Sequence, residues 1–172
     1  ELPPIILAAL RKKMINLSEE IAEGMVFANG VRSHMKQSLQ AISEKARNSA
    51  DFFIGDMIPT CINDDIELAK AVNRKTLTSY AYLPNYRNYW KEAGYREEME
   101  GIEAAITVGD REKVQYFLTD KWLSDTTLFG SASQVREGVE AWFDAGIKTP
   151  ILVPSSANGG QMIAFEEMLA IW

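Results

Sequence analysis

The segment PPIILAALRKKMINLSEEIAEGMVFA, residues 3–28, decides how the rest of the chain is read. Its apolar run Ile5-Ile6-Leu7-Ala8-Ala9-Leu10 stops at Arg11-Lys12-Lys13. A continuous apolar run of this length fits a strand buried on both faces, so a strand is expected over Pro4–Leu10. A helix follows over Arg11–Glu23, with Met14, Leu17 and Ile21 on one face and Ser18, Glu19, Glu20 and Glu23 elsewhere. Gly24 reads as its C-terminal stop. Met25–Ala28 reads as a short second strand, closed by the turn signal Asn29-Gly30. Helix N-termini favour anions, so three cations in the first turn oppose the dipole. The pattern asks for a negative group at that turn.

The same alternation continues downstream. A helix is predicted over Ser33–Ala50, with Met35, Leu39 and Ile42 on one side and Lys36, Glu44, Lys45 and Arg47 solvated. Phe52–Ile62 is a third strand, broken or bulged by Gly55 and Pro59. Asn63 or Asp64 caps a helix that carries Ile66, Leu68, Ala69 and Val72 and extends to Leu83. Residues 84–128 read as several short helices and no strand, punctuated by Pro84, Gly94, Gly101 and Gly109-Asp110. Ser131 and Gln134 have capping-box spacing and open a helix over Gln134–Ala145, which Gly146 ends. Pro150–Pro154 is a fourth strand, and Gln161–Trp172 a last helix. Strand–helix alternation of this kind builds an α/β fold of parallel (β/α) units, with helices packed outside the sheet. No long Pro/Gly/Ser linker divides the chain, so residues 1–172 are expected to form a single domain with a helical insertion at about 84–128.

The totals narrow the function. With 172 residues and a net charge of −6, the chain does not read as a general nucleic-acid binder. No apolar run approaches the roughly 20 residues of a membrane helix, and there is no secretory signal pattern. One cysteine, Cys61, excludes an internal disulfide framework and suits a reducing cytoplasm. No His/Cys cluster has zinc spacing, so no metal site is predicted.

In α/β folds ligands bind at the carboxyl ends of the strands. The turn after Leu10 lies at such an end. The unpaired N–H groups of Arg11, Lys12, Lys13 and Met14 would point at a guest there, with an anion favoured and phosphate the natural choice. The plainer alternative is that the cations face water. Ala8, Ala9 and Leu10 lead into the turn and either line the mouth or pack as ordinary strand residues.

His34, the only histidine, falls just after the second strand. Its near-neutral pKa suits general acid–base work. A surface or capping position at a helix start is the simpler reading, and no catalytic residue is otherwise identified. Cys61 reads as a small buried hydrophobe, and Asp64, Asp65 and Glu67 as first-turn helix acids. Tyr80, Tyr82, Tyr86, Tyr89, Trp90 and Tyr95 crowd into 16 residues and read as packing or a subunit interface ahead of a substrate lid. Trp142 and Trp172 read as core. Ser155-Ser156-Ala157-Asn158-Gly159-Gly160 reads as a connecting loop, with phosphate binding the alternative.

Three stretches carry a family resemblance. PIILAALRKKMINLSEEIAEGMVF resembles the fifth strand and helix of the bacterial-luciferase-like family of flavin- and deazaflavin-dependent oxidoreductases, where strings such as Y-L-A-A-L-G-P-K-M-L-x-L-A-G-E-I-A-D-G recur. LFGSASQVREGVEAWFDAGIKTPILVP, residues 128–154, resembles the approach to the family's eighth strand. YLPNYRNYWKEAGYREEM, residues 82–99, resembles its aromatic insertion. The resemblance implies the carboxyl-terminal half of a TIM-barrel-like (β/α)8 fold, which suits the abrupt start at Glu1. It implies a parent oxidoreductase or monooxygenase that uses reduced FMN or deazaflavin coenzyme F-420 on a small organic substrate. It also implies that the main chain around Arg11–Met14 grips the cofactor phosphate. Many relatives carry Gly-Pro where this chain has Arg11-Lys12. The alternative is a non-catalytic half-barrel that associates through its exposed strand edges, as a homo-oligomer or with the missing amino-terminal half.

Overall fold

The computed structural model describes residues 3–171. Its strands are β1 (Ile6–Ala8), β2 (Gly24–Ala28), β3 (Phe53–Ile62), β4 (Leu128–Gly130) and β5 (Thr149–Ser155). They form one five-stranded sheet in which every pairing is parallel. The helices are α1 (Lys12–Ile21), α2 (Arg32–Leu39), α3 (Glu44–Asn48), α4 (Ile66–Ala81), α5 (Pro84–Glu92), α6 (Arg96–Thr107), α7 (Arg111–Tyr116), α8 (Asp120–Thr126), α9 (Ala132–Asp144) and α10 (Gln161–Leu169). The α/β fold class and the (β/α) alternation are as the sequence predicts.

β3 is the spine of the sheet. β2 pairs with it from Phe53 to Met57, β4 takes over the same edge from Thr60 to Ile62, and β5 follows the opposite edge from Gly55 to Cys61. Pro59 has no N–H to offer, and it falls in the gap between β2 and β4. The strand therefore runs unbroken through Gly55 and Pro59, where the sequence predicts a break or bulge. β4 is a strand the sequence reading lacks: Leu128-Phe129-Gly130 is too short to show a period of two.

Phe27, Ile54 and Ile58 share the face that carries the main core, packed with Ile15, Leu39, Val135, Val139 and Trp142. The opposite face is partly open: Met57 is 41% exposed, and Val26, Ile151 and Val153 are half-buried. β1 is not buried on both faces as its composition suggests: it is an edge strand, paired among the described residues with β2 alone, and Ile5 and Ile6 are exposed. The same open flank explains α1. Its buried positions are Ile15 and Ser18, whereas Met14 and Ile21, predicted to face the core, are exposed.

Several boundaries move for local reasons. The helix predicted over Ser33–Ala50 is two helices, α2 and α3. Ser43 caps α3 by accepting from Ala46 N, and Arg47 Nη1 donates to Leu39 O and Ile42 O across the break. Asp65, not Asn63 or Asp64, caps α4 through the N–H groups of Glu67 and Leu68. The Ser131–Gln134 capping box forms as predicted and starts α9 at Ala132. Gly24 is no helix stop but part of β2, where a Cβ would lie 2.4 Å from Phe53 Cβ. Trp172 lies outside the described residues, while Trp142 is fully buried.

The aromatic cluster packs the insertion, and Tyr89 also lines the cleft described below. Tyr89, Trp90 and Trp122 are buried, with Trp90 edge-to-face on Trp122 at 4.7 Å. Two of these rings pin the insertion to the turn after β2. Trp90 Nε1 donates to Asn29 O at 3.1 Å, and Tyr89 Oη accepts from Val31 N at 3.0 Å.

Candidate functional site

β1 delivers Leu10 and Arg11 to its carboxyl end, and Arg11 is the extended N-cap residue of α1. No side chain caps this helix, and its first turn holds no acid. Among the described residues, the N–H groups of Arg11, Lys12 and Lys13 have no protein acceptor. Met14 N is already used, donating to Arg11 O at 2.9 Å. An anion at this turn would meet free amides, the helix dipole and cationic side chains together.

The start of α2 is the opposite case. Arg32 apart, the N–H groups there have protein partners, His34 N donating to Val31 O. Gly30 N donates to Asp56 Oδ1 at 3.3 Å, Val31 N to Tyr89 Oη, and Ser33 N to Asp125 Oδ1 at 2.9 Å. Asp125 is itself held by Ser33 Oγ and by Tyr95 Oη at 2.7 Å. The insertion therefore supplies the cap that the sequence around Arg32 lacks.

Between the start of α1 and the flank of α2 lies a cleft of about 550 Å³. Leu10, Arg11 and Lys12 line it from the α1 side, His34 and Gln37 from α2, and Glu92 from α5. Arg11 and Glu92 form an ion pair across it, and this raises the Arg11 pKa further. Lys12 and Lys13 enter no ion pair among the described residues. His34 meets the Tyr89 ring edge-on at 6.1 Å. Burial lowers the His34 pKa against the opposing pull of Glu92 and Asp125, so the imidazole is neutral at pH 7. A neutral imidazole offers one donor and one acceptor.

The structure thus gathers Leu10, Arg11, Lys12 and His34 at one cleft. Lys13 and Met14 lie on the exposed flank and do not line it. Ala9 is buried in the core and its N–H donates to Val26 O, so it supports the turn from beneath. Cys61 is buried, and burial raises its thiol pKa. The Ser155–Gly160 loop is tied back to its own helix: Ser156 Oγ and Asn158 Nδ2 both donate to Glu167 Oε1. No group of three or more His, Cys, Asp or Glu side chains among the described residues is placed to hold a metal ion. No described helix is long and apolar enough to cross a membrane.

Two residues at or beneath the site escaped the sequence reading. Glu92 stands 81 positions from Arg11 and has no local signal. Asp56 does have one: it is the lone acid inside the apolar run FIGDMIPTCI. It shares the core face with Phe27, is fully buried, and has no hydrogen-bond partner on Oδ2. Burial pushes its pKa up to about 8.

Comparison with known proteins fits this arrangement. The model of the luciferase-like monooxygenase family matches residues 1–149. No curated protein matches the chain in sequence. The fold is similar to that of the coenzyme F420-dependent tetrahydromethanopterin reductase from Methanopyrus kandleri, with a TM-score of 0.74 and 17% identity over 96% of this chain and 48% of that one. It is also similar to an F420-dependent secondary alcohol dehydrogenase solved with an F420-acetone adduct, with a TM-score of 0.65 and 11% identity over 100% of this chain and 48% of that one. The chain spans about half the length of the solved relatives it matches, and at these identities the likeness is one of fold. The family match covers most of the chain and includes the β1–α1 turn, the insertion and α9, so the chain belongs to the luciferase-like monooxygenase family.

Proposed function

We propose that the parent protein is an oxidoreductase that acts on a small organic substrate with a phosphate-bearing flavin or deazaflavin, FMN or coenzyme F-420. In this reading the α1 turn holds the cofactor phosphate. The observation that carries it is the uncapped start of α1, with free amides at Arg11–Lys13, opening onto a cleft lined by Arg11, Lys12 and His34.

These residues suit the phosphate end of such a cofactor: amide donors, two cations and a neutral imidazole converge on one concave surface. When bound, the cofactor supplies the hydride or electron chemistry. The chain's own residues bind and orient it. Lys12 adds charge beside the amides, and His34 offers a neutral donor or acceptor at the cleft wall. Tyr89 and Asp125 of the insertion hold the backbone at Val31 and Ser33, just before His34.

A fluorescence titration of the chain with FMN and F-420, with phosphate-free riboflavin as control, tests the reading. Saturable micromolar binding of FMN or F-420, with riboflavin much weaker, is expected. Binding of neither, or of riboflavin as tightly as FMN, overturns it.

A second reading concerns association. The outer edges of β1 and β5 carry no strand among the described residues. Met14 and Ile21 on α1, and Met162 and Leu169 on α10, leave apolar surface exposed beside those edges. Unpaired parallel edges with apolar flanks favour pairing with a further set of strands. Sedimentation of the chain is expected to show self-association that falls when Met162 and Leu169 are both changed to Glu. A monomer at high concentration contradicts it.

A further inference from the structure

The α1 turn is cationic, yet one of its charges is already engaged within the chain. Arg11 pairs with Glu92, and both side chains are about half exposed, at 49% and 47%. Arg11 stands at the positive end of α1, and Glu92 is the last residue of α5, at that helix's negative end. Each charge opposes its own helix dipole, so each gains from the other. Among the described residues, Glu92 is the only acid lining the cleft, and Lys12 on the same wall has no ion partner.

We infer that Glu92 is a specificity-determining latch: its carboxylate occupies the Arg11 guanidinium until a phosphate displaces it. This rests on the reading of the α1 turn as an anion site. The pair is exposed enough to be weak, and a phosphate brings more charge and more acceptor oxygens than a carboxylate. Removal of Glu92 from Arg11 leaves the cleft with two unpaired cations and no acid.

The displacement is a side-chain rotation, not a movement of α5. The residues two and three positions before Glu92 are fixed: Trp90 Nε1 donates to Asn29 O, and Tyr89 Oη accepts from Val31 N. Lys91 is held elsewhere, by Glu103 at 2.6 Å. Glu92 therefore selects against weakly charged ligands without closing the cleft to strongly charged ones.

The test titrates the chain and its Glu92→Gln variant with inorganic phosphate, FMN and F-420, following the Arg11 Nε–H resonance. Glu20→Gln serves as an exposed charge control on α1. Phosphate is expected to bind E92Q about two- to fivefold more tightly than wild type, with E20Q unchanged. The Arg11 resonance should shift saturably with phosphate in both chains, reaching half its shift at lower phosphate in E92Q. Equal affinities for wild type and E92Q, equal tightening in E20Q, or no phosphate binding to either chain overturns the latch. Tighter phosphate binding in E92Q with no binding of either cofactor keeps the latch and sinks the cofactor reading. Cofactor binding of equal strength in both chains does the reverse.

Discussion

Replacing Asp56 by asparagine should stabilise the fold, and the gain should grow with pH. Asp56 sits on the core face of β3, beneath Gly30, with one oxygen accepting from Gly30 N and the other without a partner. No cation pairs with it among the described residues. Tyr86 and Tyr89 are its titratable neighbours, and both are neutral phenols held upward by burial. Burial raises the folded-state pKa from 3.8 to about 8. Between these values the folded chain holds a proton that the unfolded chain has released. Stability from this group is complete below the unfolded pKa and falls as pH rises, by up to about 1.4 kcal/mol per pH unit, until the folded pKa is reached. From pH 5 to pH 7 the loss is about 2–3 kcal/mol. The amide side chain of the D56N variant keeps the acceptor for Gly30 N and has no proton to lose. With a urea slope of about 2 kcal/mol per molar, the midpoint of D56N should move above that of wild type by about 1 M over that interval. The difference should level off above pH 8. A difference that stays constant from pH 5 to pH 8 would refute the reasoning.

Other perturbations have separate readouts. Lys148 Nζ donates to Ser49 O at 2.6 Å and Phe52 O at 3.1 Å, tying the turn before β5 to the turn before β3. Lys148→Met should cost about 2–3 kcal/mol and lower the thermal midpoint by about 5–10 °C in calorimetry. An unchanged midpoint would show that the clamp is idle. Gly24→Ala should destabilise by about 1–3 kcal/mol in urea unfolding, because its Cβ would clash with Phe53. A neutral result would mean that β2 and β3 separate freely at that point.

Much of this architecture is legible locally, and the failures share one cause. The Ser131–Gln134 box is announced by its spacing and the α4 cap is misplaced by a position or two, while the Ser43 cap goes unread inside the continuous helix predicted over Ser33–Ala50. β1 is different. Its apolar run reads as doubly buried, but Ile5 and Ile6 are exposed, and nothing in Ile5–Leu10 tells what covers each face. The exposure of Met14 and Ile21 follows from the same open flank. Gly24 looks like a helix stop because glycine is common there, yet its reason lies across the sheet at Phe53. The site divides in the same way. The cations at Arg11–Lys13 raise the question of a negative group, and the chain's own first answer is Glu92, which only the packing of the insertion brings near. Asp125 reaches Ser33 by the same route, 92 positions along the chain.

The central claim, that the α1 turn is the cofactor-phosphate anchor, is tested most directly by amide chemical-shift mapping of the labelled chain under saturating FMN and under saturating F-420. For the cofactor that binds, the largest shifts should fall on the N–H groups of Arg11, Lys12 and Lys13 and on His34. The amide of Ser33, already capped by Asp125, should move little. Saturating shifts centred away from the β1–α1 turn, or none with either cofactor, would contradict it.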